Sequence, residues 1–252
     1  MVSLRYLGQC CFLIEYDGYR VVTDPYLSDS LDRGATPAQP WHRAYPPPAT
    51  LSQLAPDVVV ISHAHPDHLD RFTLEPYFAA GGKAPVLVPA PVLPFALKIA
   101  PTASPARAQE ALLYGQAEIL PIPAAHAVLR QDEKGDYFAL SYLITIGGKK
   151  IFFGGDMSMY DGLVPVIQAL APDLMLLPAN GADYFRTSDH IIGNLSCIEA
   201  AKLAAICGQK EYIPMHHDLY PFNGCRDSWI RESAQDAGIE ARIMSVGETI
   251  TL

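Results

Sequence analysis

The chain carries one segment twice. LAPDVVVISHAHPDH at 54–68 is answered by LAPDLMLLPANGADY at 170–184, which begins 116 positions later. In both copies Leu-Ala-Pro-Asp leads into a four-residue apolar run and then a polar cluster. Apolar runs this short, bounded by such residues, read as strands buried on both faces. A hairpin signal stands ahead of each copy: FLIEYDGYRVVTDP with Asp17-Gly18 at the turn, and YLITIGGKKIFFGGD with Gly147-Gly148 at the turn. The second strand of each hairpin runs into an aspartate, Asp24 or Asp156. A helical stretch and a further short strand follow each copy, APVLVPA in the first half and EYIPMHH in the second. Each half then closes with one more strand, AEILPIPAAH or ARIMSVGETITL. Hairpins supply antiparallel pairs and the repeated strands are buried, so the pattern calls for two sheets packed face to face with helices outside. The expected fold is a four-layer αβ/βα sandwich of the α/β class, one domain over residues 1–252, with pseudo-repeat halves of about 1–130 and 131–252.

The best specified helix lies in the second half. Ser196 and Glu199 form an S-x-x-E capping box, AAKLAAI favours helix and Gly208 supplies a stop, which predicts a helix over 197–207. The Pro-rich stretches at 35–50 and 89–105 read as ordered surface loops or lids, and their apolar character offers a surface for a homo-oligomer. With 252 residues, half of them hydrophobic, the chain can bury a large core. A formal charge of −9 disfavours nucleic acid as a partner, because phosphate binding draws on clustered Lys and Arg. No apolar stretch reaches a membrane span, and the N-terminus turns polar too early for a signal peptide. The five cysteines lack framework spacing, as reduced thiols do, and Cys225 reads as an idle thiol. A cytoplasmic protein acting on a small molecule is expected.

ISHAHPDHLD, residues 61–70, holds three of the chain's eight histidines at the C-terminal end of a buried strand. In extended backbone His63 and His65 point the same way, while Pro66 forces a turn that brings Asp67 and His68 round to a second position. Two neighbouring metal ions are thereby geometrically accessible. Further ligands are expected at other strand ends: His126 after EILPIPAA, Asp156 after IFFGG and His216 after EYIPM. Imidazole and carboxylate suit Zn²⁺ or Mn²⁺.

With these residues in order, the chain resembles the metallo-β-lactamase superfamily. The resemblance implies a first site from His63, His65 and His126, a second from Asp67, His68 and His216, and Asp156 bridging them. It implies that Asp24 lies behind the ligands as their support. A narrower likeness covers 176–224, with its N-G, D-Y-F-R, I-I-G-N, E-A-A and I-P-M-H runs, and is to the L-ascorbate-6-phosphate lactonases. That likeness implies a phosphorylated carbohydrate substrate and two divalent ions, Mn²⁺ or Zn²⁺. A hydroxide shared by two metals would attack the lactone carbonyl, with Asp67 or Asp156 handling the proton.

For substrate binding, Asn180, Asp183, Tyr184 and Arg186 offer an amide, a carboxylate, a phenol and a guanidinium on the expected rim. Arg186 would grip a phosphate. The helix start from Asn194 to Ser196 adds N–H groups suited to an anion. His217 is expected to point away from His216 and serve as a supporting or acid–base group. His190 and His42 read as surface packing. Two other readings compete: a phosphodiesterase of the same superfamily, since two metals also suit attack at phosphorus, and a non-catalytic binding protein on the same scaffold.

Overall fold

Both hairpins turn where the sequence places them. Asp17 and Gly18 have φ of 48° and 77°, and Gly147 and Gly148 have 55° and 77°. Positive φ at both central residues is the turn whose twist matches paired strands. The computed structural model describes residues 1–37 and 39–252, so Ala38, in the first Pro-rich stretch, lies outside the described residues. Six strands come first: β1 (Ser3–Tyr6), β2 (Phe12–Tyr16), β3 (Tyr19–Thr23), β4 (Val58–Val60), β5 (Val86–Pro89) and β6 (Ala103–Ala106). Seven more follow: β7 (Leu112–Tyr114), β8 (Ala117–Pro123), β9 (Leu140–Ile146), β10 (Lys149–Phe153), β11 (Leu174–Pro178), β12 (Glu211–Met215) and β13 (Glu240–Ala241), before a last strand, β14 (Thr249–Thr251). The helices are α1 (Leu51–Leu54), α2 (Arg71–Ala79), α3 (Leu93–Ala96), α4 (Leu163–Leu170), α5 (Tyr184–Ser188), α6 (Cys197–Ile206) and α7 (Asp227–Asp236).

The repeated tetrapeptide has a mechanical role. Helix α1 ends at Leu54, Ala55 takes a left-handed φ of 46°, and Pro56 bars further helix. Asp57 then donates its N–H to the Arg20 carbonyl (2.9 Å) and accepts the Arg20 N–H on its carboxylate (2.8 Å). The second copy does the same: α4 ends at Leu170, Ala171 has φ 49°, and Asp173 exchanges two 2.8 Å bonds with Lys150. Each tetrapeptide thus stops a helix and seats the next strand parallel to its neighbour, β4 on β3 and β11 on β10.

Two seven-stranded mixed sheets result, in the orders β14-β1-β2-β3-β4-β5-β6 and β13-β12-β11-β10-β9-β8-β7. Alternate side chains of the buried strands divide between two cores. Val58 and Val60 face the other sheet and meet Tyr142, Ile144, Phe153 and Leu176, while Val59 faces outward onto Leu51, Leu74 and Tyr77. In the second sheet Phe152, Met175 and Leu177 face outward onto α4, α6 and α7. These are the four expected layers.

Three expectations change in detail. The sheets divide near residue 110, not 130: β8 lies along all of β9, from Ala117 opposite Ile146 to Pro123 opposite Leu140, so AEILPIP belongs to the second sheet. The closing stretch ARIMSVGETITL is two strands, with β13 ending the second sheet and β14 crossing to pair with β1. The stretch 89–105 is α3 and strand β6 as well as loop, and Pro105 is tolerated in β6 because β6 is an edge. The helix expected at 197–207 forms as α6, with both hydrogen bonds of its capping box. Among the described residues no helix is long and apolar enough to cross a membrane.

Removing the carboxylates that seat the parallel strands tests this role. Asp57→Ala and Asp173→Ala are each expected to cost about 1 kcal/mol in urea unfolding, and to add in the double variant because they share no partner.

Candidate active site

Four loops that leave the same end of the two sheets deliver ligand-type side chains. The loop after β4 carries His63, His65, Asp67 and His68; His126 follows β8, Asp156 follows β10 and His216 follows β12. They converge into two groups, His63–His65–His126–Asp156 and Asp67–His68–His216. Asp156, 4% exposed, touches both groups with different oxygens. Its Oδ1 lies 3.3 Å from His68 Nε2 and 3.4 Å from His216 Nε2, and its Oδ2 lies 3.9 Å from His63 Nε2 and 3.7 Å from His126 Nε2. Asp67 Oδ2 completes the second group at 3.5 Å from His68 Nε2 and 3.3 Å from His216 Nε2.

These residues fit divalent metal on two grounds. Donors held about 2.1 Å from a tetrahedral ion stand roughly 3.4 Å apart, the spacing of the second group. Furthermore, His63 Nε2 in the first group and His68 Nε2 and Asp156 Oδ1 at the second are buried with no hydrogen-bond partner among the described residues. An orphaned buried polar atom costs about 1–3 kcal/mol, so their presence in both groups matches bound cations.

Asp24 sets the imidazoles in both groups. It is fully buried at the end of β3 with φ 32° and accepts the His68 Nδ1–H at 2.6 Å. It also accepts the Ser62 backbone N–H (2.7 Å) and hydroxyl (2.6 Å). Ser62 Oγ in turn lies 2.9 Å from His63 Nδ1, which donates to it. One aspartate therefore keeps a proton on Nδ1 of an imidazole in each group, leaving both Nε2 lone pairs for metal. Ser62 carries no motif signal and was not among the expected residues. Room for it comes from Gly155, where a Cβ would stand 2.5 Å from the serine Cβ.

The electrostatics divide the groups. Burial, reinforced by neighbouring imidazoles, holds His63 well below the ordinary histidine range; burial lowers His65 as well, and takes His126 down to about 4. Burial also acts to lower His68 and His216, but Asp156 and Asp67 outweigh it and raise both. Asp67 and Asp156 are lowered, since the facing imidazoles overcome the effect of burial. Metal entering the second group must displace protons from His68 and His216, whereas the first group is already neutral. Second-group affinity is thus expected to rise with pH through the neutral range, with proton release measurable by calorimetry in buffers of different ionisation enthalpy.

The expected substrate set lies elsewhere. A cleft of about 170 Å³ opens over His65, Asp67, Asp156 and His216, walled by Leu31, Gln39, Trp41, His190, Ile191, Ile192 and Asn223. None of Asn180, Asp183, Tyr184, Arg186, Asn194 or His217 lines it. Arg186 is bound by the Asp183 carboxylate, by the Asn180 carbonyl (3.0 Å) and by Asn223 Oδ1 (3.0 Å). Asn180 is buried and bonds the side chains of Asn194 and Asn223. Asp183 caps α5, and Tyr184 points to solvent, 78% exposed. The helix start at Ser196 is filled by its own Glu199, which accepts the Ser196 N–H, so no anion is needed there. His217 is buried, its ring nitrogens make no hydrogen bond among the described residues, and its Nδ1 lies 3.8 Å from the Asp227 carboxylate. His190 is exposed, as read, and also lines the cleft, and Trp41 stacks edge-on against Tyr220 and Phe222 to form one wall. His42 is exposed as expected.

Replacing the aspartate behind both groups tests the support. Asp24→Asn is expected to lower metal affinity about 10–100-fold in chelator competition, and Ser62→Ala to weaken only the His63 group.

The fold and sequence have known relatives. A family profile described as a beta-lactamase superfamily domain matches residues 19–217. The UPF0173 metal-dependent hydrolase TTHA1283 of Thermus thermophilus is 23% identical over 255 residues, covering all of both chains. Igni18, a metallo hydrolase from the archaeon Ignicoccus hospitalis, superposes with a TM-score of 0.71 at 23% identity, over 99% of this chain and 97% of its own. The isothiocyanate hydrolase from Delia radicum gut bacteria superposes at 0.76 and 16% identity, over 99% of each chain. The chain belongs to the beta-lactamase superfamily.

Proposed function

We propose that the protein hydrolyses a small uncharged carboxylic ester, a lactone in the first instance, using two divalent ions, Mn²⁺ or Zn²⁺. His63, His65 and His126 would hold one ion and Asp67, His68 and His216 the other, with Asp156 between them. The observation that carries the reading is the Asp156 carboxylate, whose two oxygens face two separate imidazole groups. Bound there, such ions supply an acidified water and polarise a carbonyl oxygen.

The chain's own residues supply the rest. Asp156 is enclosed by imidazoles and serves to hold the groups in register. Asp67 lines the cleft and keeps 13% of its side chain exposed, so it is the carboxylate placed to relay the proton from the attacking water to the leaving alkoxide. Leu31, Trp41, Ile191 and Ile192 exclude water from the ester's alkyl part, while Asn223 and His190 offer polar contacts.

The phosphorylated carbohydrate expected from the narrower likeness finds little support. Among the described residues no Lys or Arg lines the cleft, and Arg186 is occupied by Asp183, Asn180 and Asn223. A phosphate group would have no cation of its own beyond the reacting centre. The small cleft likewise favours an ester over a phosphodiester with bulky groups on both sides. Its uncharged walls also accommodate other small electrophiles, such as the isothiocyanates named for one structural neighbour.

The test is a panel assay of Mn²⁺- and Zn²⁺-loaded enzyme on neutral lactones, phosphorylated lactones and phosphodiesters. Neutral lactones are expected to turn over best, and His63→Ala and Asp156→Ala to lower kcat/KM on the order of a thousandfold. Turnover confined to phosphodiesters would overturn the reading.

A further inference from the structure

Gln9 belongs to no motif, yet its side chain reaches the centre of the site. Its Nε2 lies 2.8 Å from Asp67 Oδ2 and 2.9 Å from His216 Nε2. Those two ligand atoms are 3.3 Å from each other, so the amide approaches both more closely than they approach one another. The residue is 2% exposed.

The backbone around it is built to keep it there. Leu7 donates its N–H to the Cys11 carbonyl and Cys11 to the Gly8 carbonyl, both at 2.9 Å, closing a tight turn between β1 and β2. Gly8 has φ 99°, and a Cβ there would stand 2.7 Å from the Tyr45 ring. Gln9 itself has φ 55°, a conformation disfavoured for a residue with a side chain. Its carbonyl accepts the His216 N–H at 2.9 Å, and His216 also has a left-handed φ, 57°. Two residues 207 positions apart are thus locked face to face in strained conformations. Strain of this kind persists where the surrounding structure enforces it for function.

A glutamine amide can turn about its last bond and place Oε1 where Nε2 was, with no other movement. We propose that Gln9 is an additional protein donor of the Asp67–His68–His216 group. Its amide, turned to present Oε1, adds a hard neutral oxygen that biases the group toward Mn²⁺ over Zn²⁺. Amide and carboxylate oxygens suit hard ions and higher coordination numbers, whereas Zn²⁺ is content with four ligands, two of them already imidazoles here. The inference rests on the reading of these residues as metal ligands.

The experiment compares Mn²⁺ and Zn²⁺ affinities of the parent protein, Gln9→Ala and Gln9→Glu by chelator competition, with bound metal counted by elemental analysis and folding followed by thermal denaturation. Gln9→Ala is expected to lose about tenfold in Mn²⁺ affinity and at most two- to threefold in Zn²⁺ affinity. Gln9→Glu, which restores an oxygen, is expected to recover Mn²⁺ binding. Should Gln9→Ala fail to fold, Gln9→Met keeps the side-chain length without a hard oxygen and is expected to show the same selective loss. Equal losses for both metals without rescue by Glu, or no loss at all, would overturn the proposal. Uptake of one ion by the parent protein would count against the two-ion reading alone, because the difference between variants is read at either stoichiometry.

Discussion

A buried carboxylate facing four imidazoles is the constraint around which this site is organised. Asp156 cannot be charged, 4% exposed and unpaired without a large desolvation cost, and its charge in turn helps to raise His68 and His216 against the lowering effect of burial. Each Asp156 oxygen answers a pair of imidazoles, His68 and His216 on one side and His63 and His126 on the other. The Gly154-Gly155 step before it turns the chain off β10, and Gly155 leaves the space that Ser62 fills. Through Ser62 the constraint extends to Asp24, whose carboxylate orients one imidazole of each group. The two groups are therefore coupled twice, once through Asp156 in front and once through Asp24 behind.

The repeated unit explains why both aspartates lie at one rim. Asp24 and Asp156 each follow the second strand of a hairpin, and each hairpin is joined by a Leu-Ala-Pro-Asp strand whose aspartate makes the same pair of bonds, one through its N–H and one through its carboxylate. The polar clusters that follow β4 and β11 have diverged. The first carries His63, His65, Asp67 and His68. The second carries Asn180, which with Asn194, Asn223 and Arg186 forms a hydrogen-bonded base beneath the cleft.

Much of this was legible in the sequence because it is local. Two-residue turns, a capping box, buried apolar runs and ligand residues at strand ends are all set by neighbours along the chain, and the resemblance placed them in one family. What escaped depends on contacts made across it. Gln9 meets His216 only because the 7–11 turn packs against the end of β12, and nothing near Gln9 in sequence marks it. Arg186 looked free to bind an anion, but α5 folds it back onto Asp183 and the Asn180 carbonyl. His190 is exposed, as read, yet it also edges the cleft, because Gln39 and Trp41 from the other half pack beside it and Gln39 bonds the Asp189 carbonyl at 2.6 Å. The place where the sheets divide was misjudged for the same reason, since only pairing with β9 decides which sheet owns β8.

In the proposed site Asp156 lies between two ions. Anomalous diffraction from crystals soaked in Mn²⁺ or Zn²⁺ tests it most directly. Two peaks about 3.5–4 Å apart, both beside Asp156, are expected. A single peak, or two peaks of which one makes no contact with Asp156, would contradict it.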